Sequence, residues 1–269
     1  MYLEKAKELL EKEYKQRRKE NVSGFLIEVM DEKIRHSYQV LGAGKYLLKH
    51  EPYFCNLSNE EKDFLQAVVL LHDVARFYEF LVLGQQGIKI DHGSYGAEML
   101  EKIPEFNKME AILPVRHHGH LIEMLYEDKD YQNLPSDMQE KVKRIAFLVR
   151  DADKLANFYL LVTKFKEMSP LFFAERVFKT PYAKTISAEA RKDFEAKSTV
   201  KMKYVSNFAE RALAYLSWVF DLNYISSFVF LEKLDIIERL GKCFSIFLTK
   251  EDDAKYTADI KQFIAKKLS

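Results

Sequence analysis

The sequence predicts an all-α fold, and three of its features carry that prediction. Apolar residues recur at helical spacing, helix starts are marked by capping residues, and turn-forming residues are scarce, with nine glycines and six prolines in 269 residues. Little turn chemistry is left for a fold of many strands. Hydrophobic residues make up 48% and charged residues 31%, with 20 Phe and 15 Tyr, which supplies ample apolar area for a core and no signature of disorder.

Tyr2 to Glu20 reads as a strongly charged helix, broken at Ser23-Gly24, and a second helix runs from Phe25 to about Lys49, ended by Pro52. Ser58-Asn59-Glu60-Glu61 has the pattern of a capping box, ahead of the apolar stripe Phe64, Val68, Leu71 and Ala75, in a helix that carries His72 and Asp73. Leu83 to Asp91, holding Gly84 and Gly87, reads as a loop, and Gly93 to Ile103 as a helix stopped by Pro104. A short helix then ends near His117-His118. After the acidic loop Glu127 to Asp137, Pro135 and Ser136 signal a helix start. Val142, Ile145, Ala146, Val149, Ala152 and Leu155 keep helical spacing to about Lys166, on a helix carrying Asp151 and Asp153.

Pro170 and Pro181 bracket an aromatic-rich connection, Ser187 opens a long helical region through Trp218, and helices over about Tyr224 to Leu240 and Glu251 to Lys267 follow. No repeat, low-complexity tract or Gly/Ser/Pro-rich linker divides the chain. The expected organisation is a single domain over 1–269, with a signature core at about 25–166 and a C-terminal helical extension at about 170–269.

The formal net charge is +1, from 42 basic and 41 acidic residues, which gives no electrostatic reason to expect a nucleic acid polymer or an anionic membrane as partner. Cys55 and Cys243 belong to no paired motif and read as reduced thiols. Met1 to Glu20 lacks an apolar signal core, and apolar runs such as Ala67 to Leu71 are far short of a membrane span. A cytoplasmic protein without anchor or targeting segment is expected, with a homo-oligomer left open.

The seven histidines are His36, His50, His72, His92, His117, His118 and His120. Any one alone is more often structural than a ligand. Together with carboxylates, neutral imidazoles suit divalent transition metals such as iron, manganese, nickel, zinc or cobalt, and a hydrolytic site needs several such ligands converging from different elements. His72-Asp73 lies in the apolar run Val68 to Ala75, where an unpartnered carboxylate is costly and a bound cation would offset the cost. The competing reading is a buried ion pair between Asp73 and Arg76, one turn away.

The order His36, His72-Asp73 and an Asp within Ala152-Asp153-Lys154-Leu155-Ala156-Asn157 resembles the H…HD…D signature of HD-domain phosphohydrolases, in which four ligands from three helices hold one metal. The match places the last ligand at Asp153; Asp151, two residues away and roughly opposite on a helix, is the alternative. Asp91-His92-Gly93-Ser94-Tyr95-Gly96-Ala97-Glu98-Met99-Leu100 resembles the His-x-x-x-Gly-Ala-Glu-x-Leu segment of six-ligand HD proteins, and Val115-Arg116-His117-His118 their next histidine motif. His118 is the better match there, with His117 a supporting or additional ligand.

The resemblance covers positions 36 to 157 and implies one or two divalent ions, with Asp73 bridging in the binuclear case. Leu216 to Asn223 is similar to the C-terminal part of a group of bacterial HD hydrolases and reads as a buried aromatic helix end.

The activity so implied is hydrolysis of a phosphate ester, a nucleotide or another small phosphorylated metabolite, by metal-activated water, with Asp73 the central catalytic residue. Arg76 stands where the His-Asp-x-x-Lys form of the family has lysine and is the first choice for holding substrate phosphate, followed by Arg116 and Lys154. Two other readings share the ligand set: a diiron oxygenase of the HD type, and a non-catalytic nucleotide-binding module, against which the complete set of ligands argues. Gly119-His120-Leu121 replaces the Gly-Tyr-Pro motif of the cyclic-dinucleotide group. His50 and His120 have no place in the pattern and are expected at the surface.

Overall fold

The computed structural model describes residues 1–20, 23–165 and 169–269. Helices account for the regular structure, and no strand occurs among the described residues, so the protein is all-α. The chain falls into two compact units, Met1–Asp153 and Lys154–Ser269. No helix among the described residues is long and apolar enough to cross a membrane.

The first unit holds α1 (Tyr2–Lys19), α2 (Gly24–His50), α3 (Pro52–Cys55), α4 (Asn59–Leu71), α5 (Arg76–Gln86), α6 (His92–Glu101), α7 (Met109–His117), α8 (Ile122–Glu127), α9 (Lys129–Gln132) and most of α10 (Ser136–Lys164). The end predicted near Lys166 lies outside the described residues. Ser58 and Glu61 form the capping box: the Glu61 amide donates to Ser58 Oγ at 3.2 Å and the Ser58 amide to Glu61 Oε2 at 2.8 Å, which contributes about 1 kcal/mol to such a helix end. The helix so started packs between α1 and α2 and buries Leu65 and Ala67 to Leu71, forming the centre of the unit.

Two predicted boundaries shift here. The segment Leu83 to Gln86 belongs to α5, and Gly87 ends that helix in the left-handed region at φ 69°, a conformation open to glycine without strain. The helix expected to carry His72 and Asp73 stops at Leu71, and the pair sits in a tight turn leading to α5. Turn bonds from the Val74 amide to Leu71 O at 3.0 Å and from the Arg76 amide to Asp73 O at 2.9 Å replace the helical ladder.

The second unit continues from the end of α10 with α11 (Pro170–Arg176), α12 (Ala188–Glu195), α13 (Phe208–Ser217), α14 (Ile225–Lys233), α15 (Ile236–Phe244) and α16 (Lys250–Leu268). Every residue of α13 is buried, which makes it the core helix. The long helical region read from Ser187 to Trp218 is interrupted: Lys197 turns left-handed at φ 56°, and Asn207 caps α13 by accepting from the Glu210 amide at 3.1 Å. The helix read from Tyr224 to Leu240 breaks likewise at Asp235, φ 49°. Neither break is glycine, so neither carried the usual signal.

Candidate metal centre

Each donor is placed by a local feature of the sequence. His36 lies on the buried face of α2, Asp153 on α10, His72 and Asp73 in the turn after α4, and His118 just past the end of α7. His92 is the first residue of α6, whose start is fixed by Asp91 accepting from the Gly93 amide at 3.1 Å and from the Ser94 amide. A Cβ on Gly93 would lie 2.5 Å from the Arg116 carbonyl oxygen. Glycine at that position therefore lets α6 close onto α7 and brings His92 to His118.

Six side chains converge. One ligand atom from each of His36, His72, Asp73 and Asp153 lies within 4.8 Å of the others, and so does one from each of Asp73, His92 and His118. Asp73 belongs to both sets. His36 Nε2 lies 3.0 Å from Asp153 Oδ1, His72 Nε2 3.1 Å from Asp73 Oδ2, and His92 Nε2 3.2 Å from His118 Nε2.

The donor set fits a metal on chemical grounds. His72 Nδ1 is 2.8 Å from Val69 O and His118 Nδ1 is 2.7 Å from Val115 O. A carbonyl only accepts, so each Nδ1 carries a proton and each Nε2 is turned inward as the nitrogen free to ligate. Asp73 Oδ1 is buried with His92 Nε2 and His118 Nε2 3.3 Å away and Arg76 Nε 3.4 Å away, and among the described residues none of these closes a well-formed hydrogen bond to it. A buried carboxylate oxygen so placed favours a further cation.

The charges agree. Burial disfavours ionisation of Asp73, but Lys33, His72 and Arg76 hold its carboxyl well below the usual carboxylate range. Burial also disfavours a charged His72, yet Asp73 and Asp153 raise it to about 9, so these carboxylates draw positive charge to His72 Nε2. Burial, with Lys33 close by, lowers His36 to about 4 and keeps it neutral.

The remaining sequence candidates lie elsewhere or support these. Arg76 Nε is 3.4 Å from Asp73 Oδ1 and its Nη1 pairs with Glu79, so the ion pair weighed against a metal is present alongside the donor cluster. Arg116 is engaged by Glu101 at 3.3 Å, Asp128 at 3.0 Å and Asp130 at 2.7 Å. Lys154, in the second unit, pairs with Asp221 at 2.9 Å. His117 Nε2 turns to Asp128 at 2.7 Å, and neither it nor the buried Asp151 joins either donor set. His50 is exposed against Tyr46. His120 is not a plain surface residue: it contacts Asp91 at 3.3 Å and His117 at 3.4 Å.

Three supporting residues were missed. Lys33 Nζ lies 2.5 Å from Asp73 Oδ2; standing one turn before His36, it shares that face of α2. Glu79, buried one turn after Arg76, reaches both Arg76 and, at 3.4 Å, His92 Nδ1 through Oε2. Arg150 of α10 adds a third support, its Nη1 donating to the carbonyls of His117 at 3.1 Å, His118 at 3.2 Å and His120. Beside His92 opens a cleft of about 340 Å³, lined by Lys89, Asp91, Gly93, Arg116 and His120 among others.

An all-α scaffold that gathers histidines and aspartates from separate elements into a cluster able to hold a metal defines the class. Residues 34–157, a little under half of the chain, match the model of the HD domain. All six donors fall inside it. No curated protein and no solved structure matches the chain.

Proposed function

We propose that the protein is a metal-dependent phosphohydrolase that cleaves a phosphate ester of a small metabolite, such as a nucleotide, at a binuclear centre bridged by Asp73. The observation that carries this reading is the membership of Asp73 in both donor sets. His36, His72 and Asp153 would hold one ion and His92 with His118 the other, drawn from iron, manganese, nickel, zinc or cobalt. Such ions lower the pKa of water and neutralise charge that builds on phosphoryl oxygens.

The chain's own residues do the rest. The ionised Asp73 keeps its negative charge at the junction of the two sets, and His72 and His118 present Nε2 because backbone carbonyls hold Nδ1. Arg76, with Glu79 fixing one end of its fork, offers guanidinium donors to a phosphoryl group. Lys89 adds a basic group to the cleft beside His92, while Arg116 there is engaged by Glu101, Asp128 and Asp130.

Metal analysis of protein purified without chelator, together with a screen of phosphate mono- and diesters, tests the reading. Hydrolysis that disappears in Asp73→Ala while helical circular dichroism is retained is the expected result. Unchanged turnover in Asp73→Ala overturns it, and metal-dependent uptake of dioxygen without ester cleavage would give the centre to oxygenase chemistry instead.

A further inference from the structure

Among the described residues, the second unit contains a buried cation with no carboxylate paired to it. Arg211, on the core helix α13, is 9% exposed. Its contacts are neutral: Nη1 meets Met202 Sδ at 3.8 Å, Nη2 meets Thr180 Oγ1 at 3.4 Å, the Tyr215 hydroxyl is a further hydrogen-bond partner, and the guanidinium lies 5.7 Å from the centre of the Phe178 ring. Nε is buried without a hydrogen-bond partner. Guanidinium has five donors and cannot shed its charge, so this environment leaves part of its hydrogen-bonding capacity unmet.

The groups around it do not supply the missing charge. Glu210, its neighbour in sequence, is committed elsewhere: its carboxylate accepts from the amide and hydroxyl of Ser206 at 2.8 and 2.6 Å and from the Ser187 amide at 2.9 Å. The Tyr215 hydroxyl, which adjoins Arg211, donates to Pro170 O at 3.0 Å. Burial pushes that phenol up to about 12, so it is neutral near pH 7. One residue before Pro170, Ser169 Oγ is a second buried polar atom without a partner.

Access comes through the two apolar contacts. Phe178 and Met202, which touch Arg211, are 43% and 53% exposed, and a methionine side chain moves aside easily. Between Phe178 and Thr180, Lys179 is exposed and adds local positive charge.

We propose that Arg211, with Thr180, forms an anion-binding site in the second unit that takes the phosphate or carboxylate group of a small ligand. The planar fork of donors suits either oxyanion, and the Thr180 hydroxyl adds a neutral donor beside it. The residues of this site are none of those in the His/Asp cluster, and the proposal does not depend on the activity proposed for that cluster.

Thermal unfolding and calorimetry with inorganic phosphate and, separately, acetate test the proposal, using the parent protein and Arg211→Met. Both proteins keep the same His/Asp cluster, so binding there is common to the two. Inorganic phosphate should raise the melting temperature of the parent saturably, and Arg211→Met should bind it at least about tenfold more weakly, as befits loss of a charged hydrogen-bonding partner. A response to acetate but not phosphate also supports the site and identifies the ligand group as a carboxylate. Equal responses in the two proteins, or no response of the parent to either anion, overturn it. Should Arg211→Met fail to fold, Thr180→Val serves instead: a several-fold weaker affinity supports the site, and an unchanged affinity overturns it.

Discussion

Nε2 of His92 faces Nε2 of His118 at 3.2 Å. His118 Nδ1 carries a proton bound to Val115 O, and His92 Nδ1 lies 3.4 Å from Glu79 Oε2. Burial and the nearby Arg76 hold His92 well below the usual histidine range, so it stays neutral. With the His118 proton held on Nδ1, His118 Nε2 is an acceptor, and the short approach to His92 Nε2 can be bridged by a proton on His92 or by a shared cation. Replacing either histidine by alanine should leave one metal ion per chain in place of two and weaken phosphoester turnover, whereas His36→Ala should damage the other set. Metal stoichiometry by elemental analysis decides, and parent-like metal content in His92→Ala and His118→Ala would make both residues structural.

Glu79 acts through its neighbours. Its Oε2 meets Arg76 and His92 together, so Glu79→Gln should cost about 10- to 100-fold in metal affinity or turnover, the usual effect of removing a residue that orients ligands. Titration with a competing chelator separates the metal effect from the kinetic one. Parent-like values in both measurements would show Glu79 to be a packing residue.

Gly93 sets a distance. Alanine there would place Cβ against the Arg116 carbonyl oxygen at 2.5 Å, so α6 must back away from α7 and take His92 with it. Gly93→Ala should bind the ion of the His92–His118 set more weakly while leaving that of the His36 set in place. Loss of both ions in equal measure would contradict this division.

In the second unit, Arg191 contacts Asp252 Oδ1 at 2.5 Å and Tyr256 at 2.6 Å. The Arg191 hydrogen bond holds the Asp252 carboxyl below its ordinary value in spite of partial burial. A carboxyl depressed on folding adds stability that is complete above the unfolded value of about 3.9 and is lost as pH falls through the folded value. The pair is partly exposed, so its contribution is about 1 kcal/mol or less. Asp252→Asn should lower the unfolding midpoint at pH 7 and converge on the parent as the pH drops below about 4. A difference that stays constant over this range would rule out the ionic contribution.

How much of this was legible beforehand depends on what each residue's neighbours in sequence reveal. The six converging donors were all readable, because each sits in a short motif with its own spacing, and Ser58 with Glu61 announced α4 correctly. Lys33 and Glu79 were not, since a single charged residue on an amphipathic helix has the same appearance whether it faces solvent or a buried carboxylate. Arg116 and Lys154 read as candidates for phosphate, yet the acids that engage them, Asp128, Asp130 and Asp221, come from other segments that only folding brings near. The breaks at Lys197 and Asp235 escaped for a related reason: left-handed residues other than glycine have no compositional signature.

The grip of Arg150 on the end of α7 has a mechanical consequence. Arg150 and Asp153 stand one turn apart on α10; one clasps the carbonyls around His118 and the other supplies a donor to the opposite set. A single rod is thus geared to both halves of the centre. A small slide or rotation of α10 would therefore move the carbonyls around His118 and the Asp153 carboxylate together.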